Sequence, residues 1–208
     1  MLSDINIHYA DEAVVVVNKP SGLLSVPGRG EDKQDCVVRR VQQTFPTARI
    51  VHRLDCATSG LMVLALSADG HRELSRQFHD REVSKAYVAL VYGTVEADEG
   101  QVRLPLMTDW PNRPKQMISE DGKPAHTDYK VLSRESDHTR VLLTPVTGRT
   151  HQLRVHMLSL GHPILGDRLY AAGDVLAASD RLMLHAWQLG FMHPESGESL
   201  FFDPEAPF

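Results

Sequence analysis

The chain has 208 residues, 42% of them hydrophobic, so it can bury a core without a metal or disulfide staple. Its net charge of −5 argues against a nucleic-acid surface spread over the whole molecule, and Cys36 and Cys56 form no CxxC pair. Residues 1–13 lack the features of a secretory signal, and no apolar run approaches the roughly 20 residues of a membrane span. We therefore expect a soluble protein of the cytoplasm.

The basic residues are unevenly distributed along the chain. Residues 101–168 contain ten Lys and Arg against seven Asp and Glu, whereas residues 169–208 contain one against six. A nucleic-acid partner would therefore need a local basic groove formed by the middle of the chain. Ordinary solvated surface charge explains the same counts, so composition leaves both interpretations open.

The first half of the chain predicts strands separated by turns and two helices. Residues 5–20 read as two β segments around an Ala-Asp-Glu-Ala turn, and a glycine-rich loop follows them. The spacing of Val37, Val41 and Phe45 favours a short helix. After "HRLDCATSG", the run "LMVLAL" predicts a buried strand, and "DGHRELSRQFHDRE" predicts a surface helix.

The second half predicts mainly strands. "KAYVALVYGTV" alternates strongly, and further strands are expected at 101–106, 125–133 and 139–146, with a long polar excursion after the first. The tail predicts strands at "RLMLHA", "WQLGFMH" and "SLFFD". Many strands, few helices and no regular βαβ alternation indicate an α+β fold on a mostly antiparallel, mixed β-sheet with flanking helices and loops.

The segment "GRTHQLRVHMLSLGHP" predicts a helix that ends at Gly161 and Pro163. Its apolar residues fall on two opposite sides when they are projected at about 100° per residue. A helix that is apolar on two sides is packed on both. Arg154 would then be carried into the interior or to the wall of a cleft, where it needs a partner.

Eleven histidines raise the possibility of a metal centre. The sequence offers no HxxxH or HExxH pair that would place two ligands on one helix face, so we predict no metal site. A Ser-His-Asp triad also lacks its local signature, because no GxSxG elbow is present.

Asp55 stands in "HRLDCATSG", between the apolar runs "RIV" and "LMVLAL". A buried ion pair with Arg53 or Arg154 that serves structure alone accounts for this placement. The alternative is a functional carboxylate that stays ionised in a partly dry cleft. Burial raises the pKa of an acid and a neighbouring arginine lowers it, so such a pair can keep a carboxylate nucleophilic or basic.

Four separated segments together resemble the RluA family of RNA pseudouridine synthases: "HRLDCATSGL", "KAYVALVYG", "GRTHQLRVHMLSLGHPILGD" and "LHAWQLGFMHP". The resemblance runs from about Val14 to Phe202. It implies the pseudouridine synthase fold around a central catalytic cleft, as one catalytic domain over residues 1–208 without a separate N-terminal RNA-binding domain. The "DWPNRPKQ" excursion is most similar to family members with dual specificity for ribosomal and transfer RNA.

The resemblance also implies the site residues. Asp55 matches the family's catalytic aspartate, Tyr87 its active-site tyrosine and Arg154 the basic partner of the aspartate. Arg53 matches the arginine that fills the gap left in the RNA by the extruded uridine. Without the resemblance, a core residue of a strand is the preferred interpretation of Tyr87.

The implied reaction breaks the N1–C1′ bond of uridine, turns the uracil and rejoins it through C5. It needs no cofactor. Asp55 could attack C1′, attack C6 or deprotonate C2′, and each route requires the ionised carboxylate. The resemblance implies, as substrates, hairpin loops of large-subunit ribosomal RNA and the transfer RNA anticodon stem-loop. Loops are also what sequence-specific RNA recognition usually targets, which fits a small enzyme acting on hairpins.

RNA binding is expected to involve four further basic residues in or near the net-positive middle of the chain, each of which reads equally well as solvated surface: Arg113, Lys115, Lys123 and Arg149. We expect a monomer with no obligate protein partner. Two rival functions remain open: a non-catalytic RNA-binding or chaperone protein on the same fold, and a hydrolase that uses Asp55 as a nucleophile. The hydrolase would ordinarily need a second carboxylate.

Overall fold

The computed structural model describes residues 5–208. The chain divides into two compact units. Unit 1 contains the chain up to Lys85 together with Ala186–Phe208, and unit 2 contains Ala86–His185. The expectation of one catalytic domain over residues 1–208 stays a prediction.

The described part of the chain is rich in strands and poor in helices, as the sequence predicts. The strands, numbered in chain order, are β1 Asn6–Ala10, β2 Val14–Lys19, β3 Arg49–Ile50, β4 Ser59–Ala65, β5 Ser84–Tyr92, β6 Glu99–Val102, β7 Leu106–Thr108, β8 Gln116–Ile118, β9 Thr127–Arg134, β10 His138–Pro145, β11 Leu184–Met192 and β12 Ser199–Phe202. The α-helices are α1 Val37–Val41, α2 Ala68–Asp80, α3 Gln152–Ser159 and α4 Gly173–Ala177.

Unit 1 is built on an antiparallel arrangement around β4. Strands β1, β2 and β4 are consecutive antiparallel neighbours, β3 pairs with the end of β4, and β12 pairs with β11. Every residue of β4 is buried, which confirms the strand predicted from "LMVLAL". The predicted turn between β1 and β2 is held by the Asp11 carboxylate, which accepts hydrogen bonds from the amides of Ala13 and Val14 at 2.8 Å each.

The helix α2 follows β4 and covers its unit with one face. Ser67 caps its first turn by accepting a hydrogen bond from the amide of Gly70, and Arg81 ends it in the left-handed conformation. Leu74 and Gln77 lie on the buried face. Leu74 joins a core cluster with residues of β2, β4 and β11, so packing against the strands holds this helix in place.

Unit 2 contains a four-stranded antiparallel arrangement in the order β5-β10-β9-β6 and a small hairpin, β7–β8. The hairpin occupies the segment predicted as a polar excursion. Its strands have three residues each, too few to produce a clear alternating pattern in the sequence.

Two details of the predicted tail and motif differ from the structure. The last three residues of "RLMLHA" and most of "WQLGFMH" form one continuous strand, β11, in which buried residues flank the half-buried Trp187 and Gln188 on both sides. Ser59, which ends the motif "HRLDCATSG" together with Gly60, begins β4. The α+β class with a mostly antiparallel sheet is confirmed.

Candidate active site

Asp55 lies in unit 1, in an irregular segment between β3 and β4. Asp55 is half-buried, the preceding Leu54 is buried, and Arg53 is exposed. The carbonyl of Asp55 accepts a hydrogen bond from the amide of Thr58 at 3.1 Å, which closes a turn just before the strand. The side chain therefore stands on a short turn fixed at one end by the fully buried strand β4.

The glycine-rich loop that follows β2 holds this turn from the other side. Ser25 Oγ both donates to the carbonyl of Leu54 at 2.8 Å and accepts from its amide at 3.1 Å. The amide of Gly22 donates to the carbonyl of Cys56 at 2.9 Å, and Ser21 Oγ donates to the carbonyl of Ala57 at 2.7 Å. The backbone carbonyls from Leu54 to Ala57 all accept hydrogen bonds, which restricts the backbone at Asp55.

Lys19 also holds the Asp55 turn and is fully buried. We call Lys19 and the loop residues Ser21, Gly22 and Ser25 the clamp of this turn. The Lys19 ammonium donates to three carbonyls: Leu23 at 2.7 Å, Cys56 at 2.9 Å and Pro20 at 3.0 Å. Three carbonyl acceptors match the three N–H donors of a lysine, which is how a protein can bury such a charge. Lys19 is not among the site residues predicted from the sequence. The signal was a lysine at the end of the apolar run "VVVVNK", directly before Pro20.

His52 anchors the same turn to β4. Its Nε2 accepts a hydrogen bond from the amide of Val63 at 3.1 Å, and its ring stacks on Phe78 with centroids 4.4 Å apart. Burial, assisted by the charge of Lys85, lowers the pKa of His52 to about 3. The imidazole is therefore neutral and takes the place of a strand carbonyl at the point where β3 has ended.

Tyr87 lies in unit 2, on β5, where it pairs in register with Leu143 of β10. Tyr87 is half-buried, whereas the next two residues of the strand, Val88 and Ala89, are fully buried. The strand places Tyr87 among apolar neighbours, and the partial exposure leaves room for a ligand contact.

Arg154 also lies in unit 2, on α3, and is 4% exposed at its side chain. It forms a bidentate pair with Asp167, at 2.7 Å from Nε to Oδ2 and 2.6 Å from Nη2 to Oδ1. The Tyr170 ring lies below the guanidinium, 5.1 Å from its carbon to the ring centroid. The helix projection predicted that Arg154 would be interior and need a partner, but Asp167 is not among the residues predicted from the sequence.

The start of α3 is fixed by a buried amide. Gln152 Oε1 accepts from Thr147 Oγ1 at 2.7 Å and from the amide of Arg149 at 3.0 Å, while its Nε2 donates to the carbonyl of His126 at 2.9 Å. The residues from Gln152 to Met157 are all buried, which confirms the packing predicted for this helix. The rigid helix determines where the Arg154 guanidinium lies.

His156 belongs to the packing of the same helix. Its Nε2 lies 3.0 Å from the carbonyl of Leu104 and its Nδ1 lies 2.8 Å from Thr127 Oγ1. A carbonyl only accepts, so Nε2 carries the proton and the threonine hydroxyl donates to Nδ1. Burial lowers the pKa of His156, so the ring is neutral.

Among residues 5–208, no group of three or more His, Cys, Asp and Glu is arranged to hold a metal ion.

The four predicted RNA-binding residues outside the motif are exposed or half-buried in unit 2. Arg113 and Lys115 lie in the turn of the β7–β8 hairpin. Lys123 is joined to the start of β7 through backbone hydrogen bonds with Leu106 at 2.8 and 3.0 Å, and Arg149 Nε donates to the carbonyl of Pro124 at 3.1 Å. The structure thus brings Lys123 and Arg149 together at one end of the hairpin, with Arg113 and Lys115 at the other.

Both cysteines are free, Cys36 buried and Cys56 exposed. In the part of the chain that the structure describes, no helix is long and apolar enough to cross a membrane.

Comparisons with known proteins agree on one family. Residues 13–159 match the family model described as RNA pseudouridylate synthase. The chain is 57% identical to the dual-specificity RNA pseudouridine synthase RluA of Yersinia pestis, over 96% of this chain and 98% of the relative. It is 56% identical to the Escherichia coli K12 protein of the same name, over 97% of this chain and 93% of the relative.

A solved structure agrees with the sequence comparisons. The human RNA pseudouridylate synthase domain-containing protein 1 matches with a TM-score of 0.85 at 31% identity, covering 100% of this chain and 86% of the human one. The match extends over both units. The chain therefore belongs to the RNA pseudouridylate synthase family, the enzymes that isomerise uridine in RNA to pseudouridine.

Proposed function

We propose that this enzyme modifies uridines in two RNAs, in hairpin loops of large-subunit ribosomal RNA and in the anticodon stem-loop of transfer RNA. The observation that carries the proposal is the near-complete alignment, at 54–57% identity, with relatives named as dual-specificity RNA pseudouridine synthases. The basic residues of the β7–β8 hairpin and its base fit a partner with a phosphate backbone.

We propose Asp55, Tyr87 and Arg154 as the catalytic residues, by their match to the family motifs. The Asp55 carboxylate would act in its ionised form on the ribose or on the base. Arg154 would supply the positive charge that favours that form. Tyr87 would stack on the extruded uracil and accept the proton released from C5 through its hydroxyl.

The clamped turn around Asp55 supports its catalytic assignment. A reacting carboxylate contributes most when its position is fixed before the substrate arrives, because the entropy cost of ordering it has then been met during folding. Lys19, Ser25 and His52 each hold the backbone within three residues of Asp55. A carboxylate that served as surface charge would gain nothing from such support.

Uridine in a stem or a stacked loop hides its reactive atoms, so the nucleotide has to be extruded at a cost of a few kcal/mol. Arg53 is exposed on the chain two residues before Asp55, which suits a side chain that enters the vacated space. We propose this role for Arg53, and phosphate contacts for Arg113, Lys115, Lys123 and Arg149.

Release of tritium from RNA labelled at C5 of uridine tests the reaction directly, because isomerisation expels that hydrogen. We expect Asp55→Asn to abolish release from both RNAs while RNA affinity stays within about tenfold of wild type, since the change affects the reacting centre. Substantial turnover by this variant would contradict the assignment. Retention of tritium by the wild-type protein on both RNAs would instead support the rival function of a non-catalytic RNA-binding protein.

A second variant separates the two roles proposed for Tyr87. Tyr87→Phe keeps the stacking ring and removes the hydroxyl, so the RNA should bind while product formation stalls. Equal rates for Tyr87 and its Phe variant would eliminate the hydroxyl as proton acceptor.

We further propose that the enzyme acts as a monomer in the cytoplasm. Two free cysteines, one of them exposed, suit a reducing compartment, and so do the proposed substrates. Sedimentation of the protein with and without RNA would reveal any obligate partner copy.

A further inference from the structure

The turn of the β7–β8 hairpin exposes a large aromatic side chain that the proposed catalytic residues do not use. Trp110 is 64% exposed, more than any other large hydrophobic residue among those that the structure describes. It opens the short 3₁₀ turn Trp110–Asn112, directly before the predicted RNA-binding residues Arg113 and Lys115. An exposed tryptophan presents a large apolar surface, and a ligand that stacks on it gains free energy by removing that surface from water.

One side of the indole is already occupied by a cation. The guanidinium carbon of Arg113 lies over the Trp110 ring, 4.8 Å from its centroid. A guanidinium stacked on tryptophan keeps its planar face and its edge donors available for other contacts. The pair therefore offers an aromatic plane, a cationic plane and N–H donors within one small surface.

The turn that carries this pair is internally fixed. The Asp109 carboxylate accepts two hydrogen bonds from Asn112 Nδ2 at 3.0 Å each, and the amide of Asn112 donates to the Asp109 carbonyl at 3.1 Å. The amide of Asp109 donates to the carbonyl of Lys115 at 3.0 Å, and the amide of Lys115 donates to the carbonyl of Asn112 at 3.1 Å. The Asp109 carboxylate is thus hydrogen-bonded to the side-chain amide of Asn112 within the same turn.

The hairpin is also tied to the body of unit 2. Gln116, the first residue of β8, donates its amide to the Tyr170 hydroxyl at 2.8 Å. That hydroxyl lies 2.7 Å from His151 Nδ1, just before α3, and the Tyr170 ring lies under the Arg154 guanidinium. A ligand on the turn would therefore meet a preorganised surface and would lose little of its binding energy to ordering the protein.

We propose that Trp110 and Arg113 form a stacking platform for an unpaired RNA base of the substrate loop. This inference rests on the proposed function and adds a base contact to the phosphate contacts proposed above. Every base has a π-face, so the platform selects single-stranded, splayed-out bases over paired ones without reading their sequence. It would favour loop nucleotides over stem nucleotides in both proposed RNAs.

The chain offers a direct optical test, because it has two tryptophans, Trp110 and Trp187. Trp187 lies on β11 and donates its indole N–H to the carbonyl of Pro204 at 2.7 Å. In a Trp187→Phe background, the fluorescence reports on Trp110. We expect titration with an anticodon stem-loop RNA to quench this emission, and titration with a blunt RNA duplex of equal length to leave it nearly unchanged. Equal quenching by both RNAs, or by neither, would overturn the proposal.

Binding measurements with matched variants give the contribution of the Trp110 ring to RNA affinity. We expect Trp110→Ala to weaken stem-loop binding about tenfold, equivalent to about 1.4 kcal/mol, and Trp110→Phe to weaken it less because a ring remains. Phe201→Ala is the control, since Phe201 is also an exposed aromatic, 55% accessible, but lies on β12 in unit 1. A Trp110→Ala affinity equal to that of the control would refute the platform.

A double-mutant cycle tests whether the two side chains act as a unit. Trp110→Ala and Arg113→Ala should together cost less than the sum of their separate effects, because each removes the stacking partner of the other. Additive losses would show two independent contacts. Tritium release by the wild-type protein separates the outcomes. Normal isomerisation with no Trp110 effect rejects the platform alone, and quenching without any isomerisation rejects the proposed function alone.

Discussion

The bidentate pair between Arg154 and Asp167 allows a quantitative prediction from the geometry. The Asp167→Asn variant keeps the size of the side chain and one carbonyl oxygen. That oxygen can still accept from the amides of Leu169 and Tyr170, which donate to Asp167 Oδ1 at 2.9 and 3.2 Å. The substitution removes the negative charge opposite a guanidinium at a site where the two side chains are 4% and 1% exposed.

Breaking a buried ion pair by removing one partner costs about 3 to 5 kcal/mol, since the remaining charge stays desolvated. The retained oxygen places Asp167→Asn at the lower end, about 3 kcal/mol. With a urea dependence of roughly 2 to 3 kcal/mol per molar, this loss lowers the midpoint of urea unfolding by about 1 M. Urea unfolding followed by circular dichroism measures the shift.

The matched control lies on the exposed face of α2. Glu73→Gln removes one partner of the pair between Glu73 and Arg76, whose side chains are 36% and 48% exposed, and we expect no measurable change in the midpoint. An Asp167→Asn midpoint within about 0.2 M of wild type would refute the reasoning that the pair is an electrostatic unit.

Three further predictions concern other parts of the chain. Since the pKa of His52 falls to about 3 on folding, the unfolded chain binds more protons between that value and about 6.5. The contribution of His52 to the free energy of unfolding should therefore fall by about 2 kcal/mol from about pH 7 to about pH 5. Urea unfolding at both pH values should show a flatter pH dependence for His52→Asn than for wild type, and an equal dependence would contradict this role of His52. Gly60→Ala should abolish cooperative unfolding, because its Cβ would lie 2.3 Å from the Ala186 carbonyl at a φ of +119°, whereas Gly197→Ala meets no atom within 4 Å and should fold. Arg149→Gln should reduce the slope of log affinity against log salt by about 0.7 to 0.9; an unchanged slope would remove Arg149 from the phosphate contacts.

Strands with a regular pattern could be predicted from the sequence because their burial alternates or is continuous over many residues. β4 and β5 are examples, and so is the capped helix α2. The hairpin β7–β8 could not be predicted, since three-residue strands offer too few positions for a period and depend on contacts with Lys123 and Tyr170. The break predicted inside β11 is absent because pairing with neighbouring strands carries the chain through it.

The candidate site shows the same division. The resemblance to the family proposes Asp55, Tyr87 and Arg154 as candidates, because each falls in a motif that the family shares. It did not identify Lys19 or Asp167, which lie 36 and 112 residues from Asp55 in the sequence. Lys19 is marked only by the apolar run before it, Asp167 carries no local pattern that distinguishes it from a surface charge, and the importance of both comes from the hydrogen bonds they make after folding.

The sequence by itself determined the family, the fold class and which residues are candidates for chemistry, because these depend on local patterns of residue types. The sequence also indicated that Arg154 is interior, but only the tertiary structure decided that Lys19 is buried and which partners satisfy both charges. Burial and partnership depend on contacts between residues far apart in the chain, and the cost of an unsatisfied charge is set where those contacts form. The clamp of Lys19 on the Asp55 turn and the pair of Arg154 with Asp167 are therefore properties of the folded molecule.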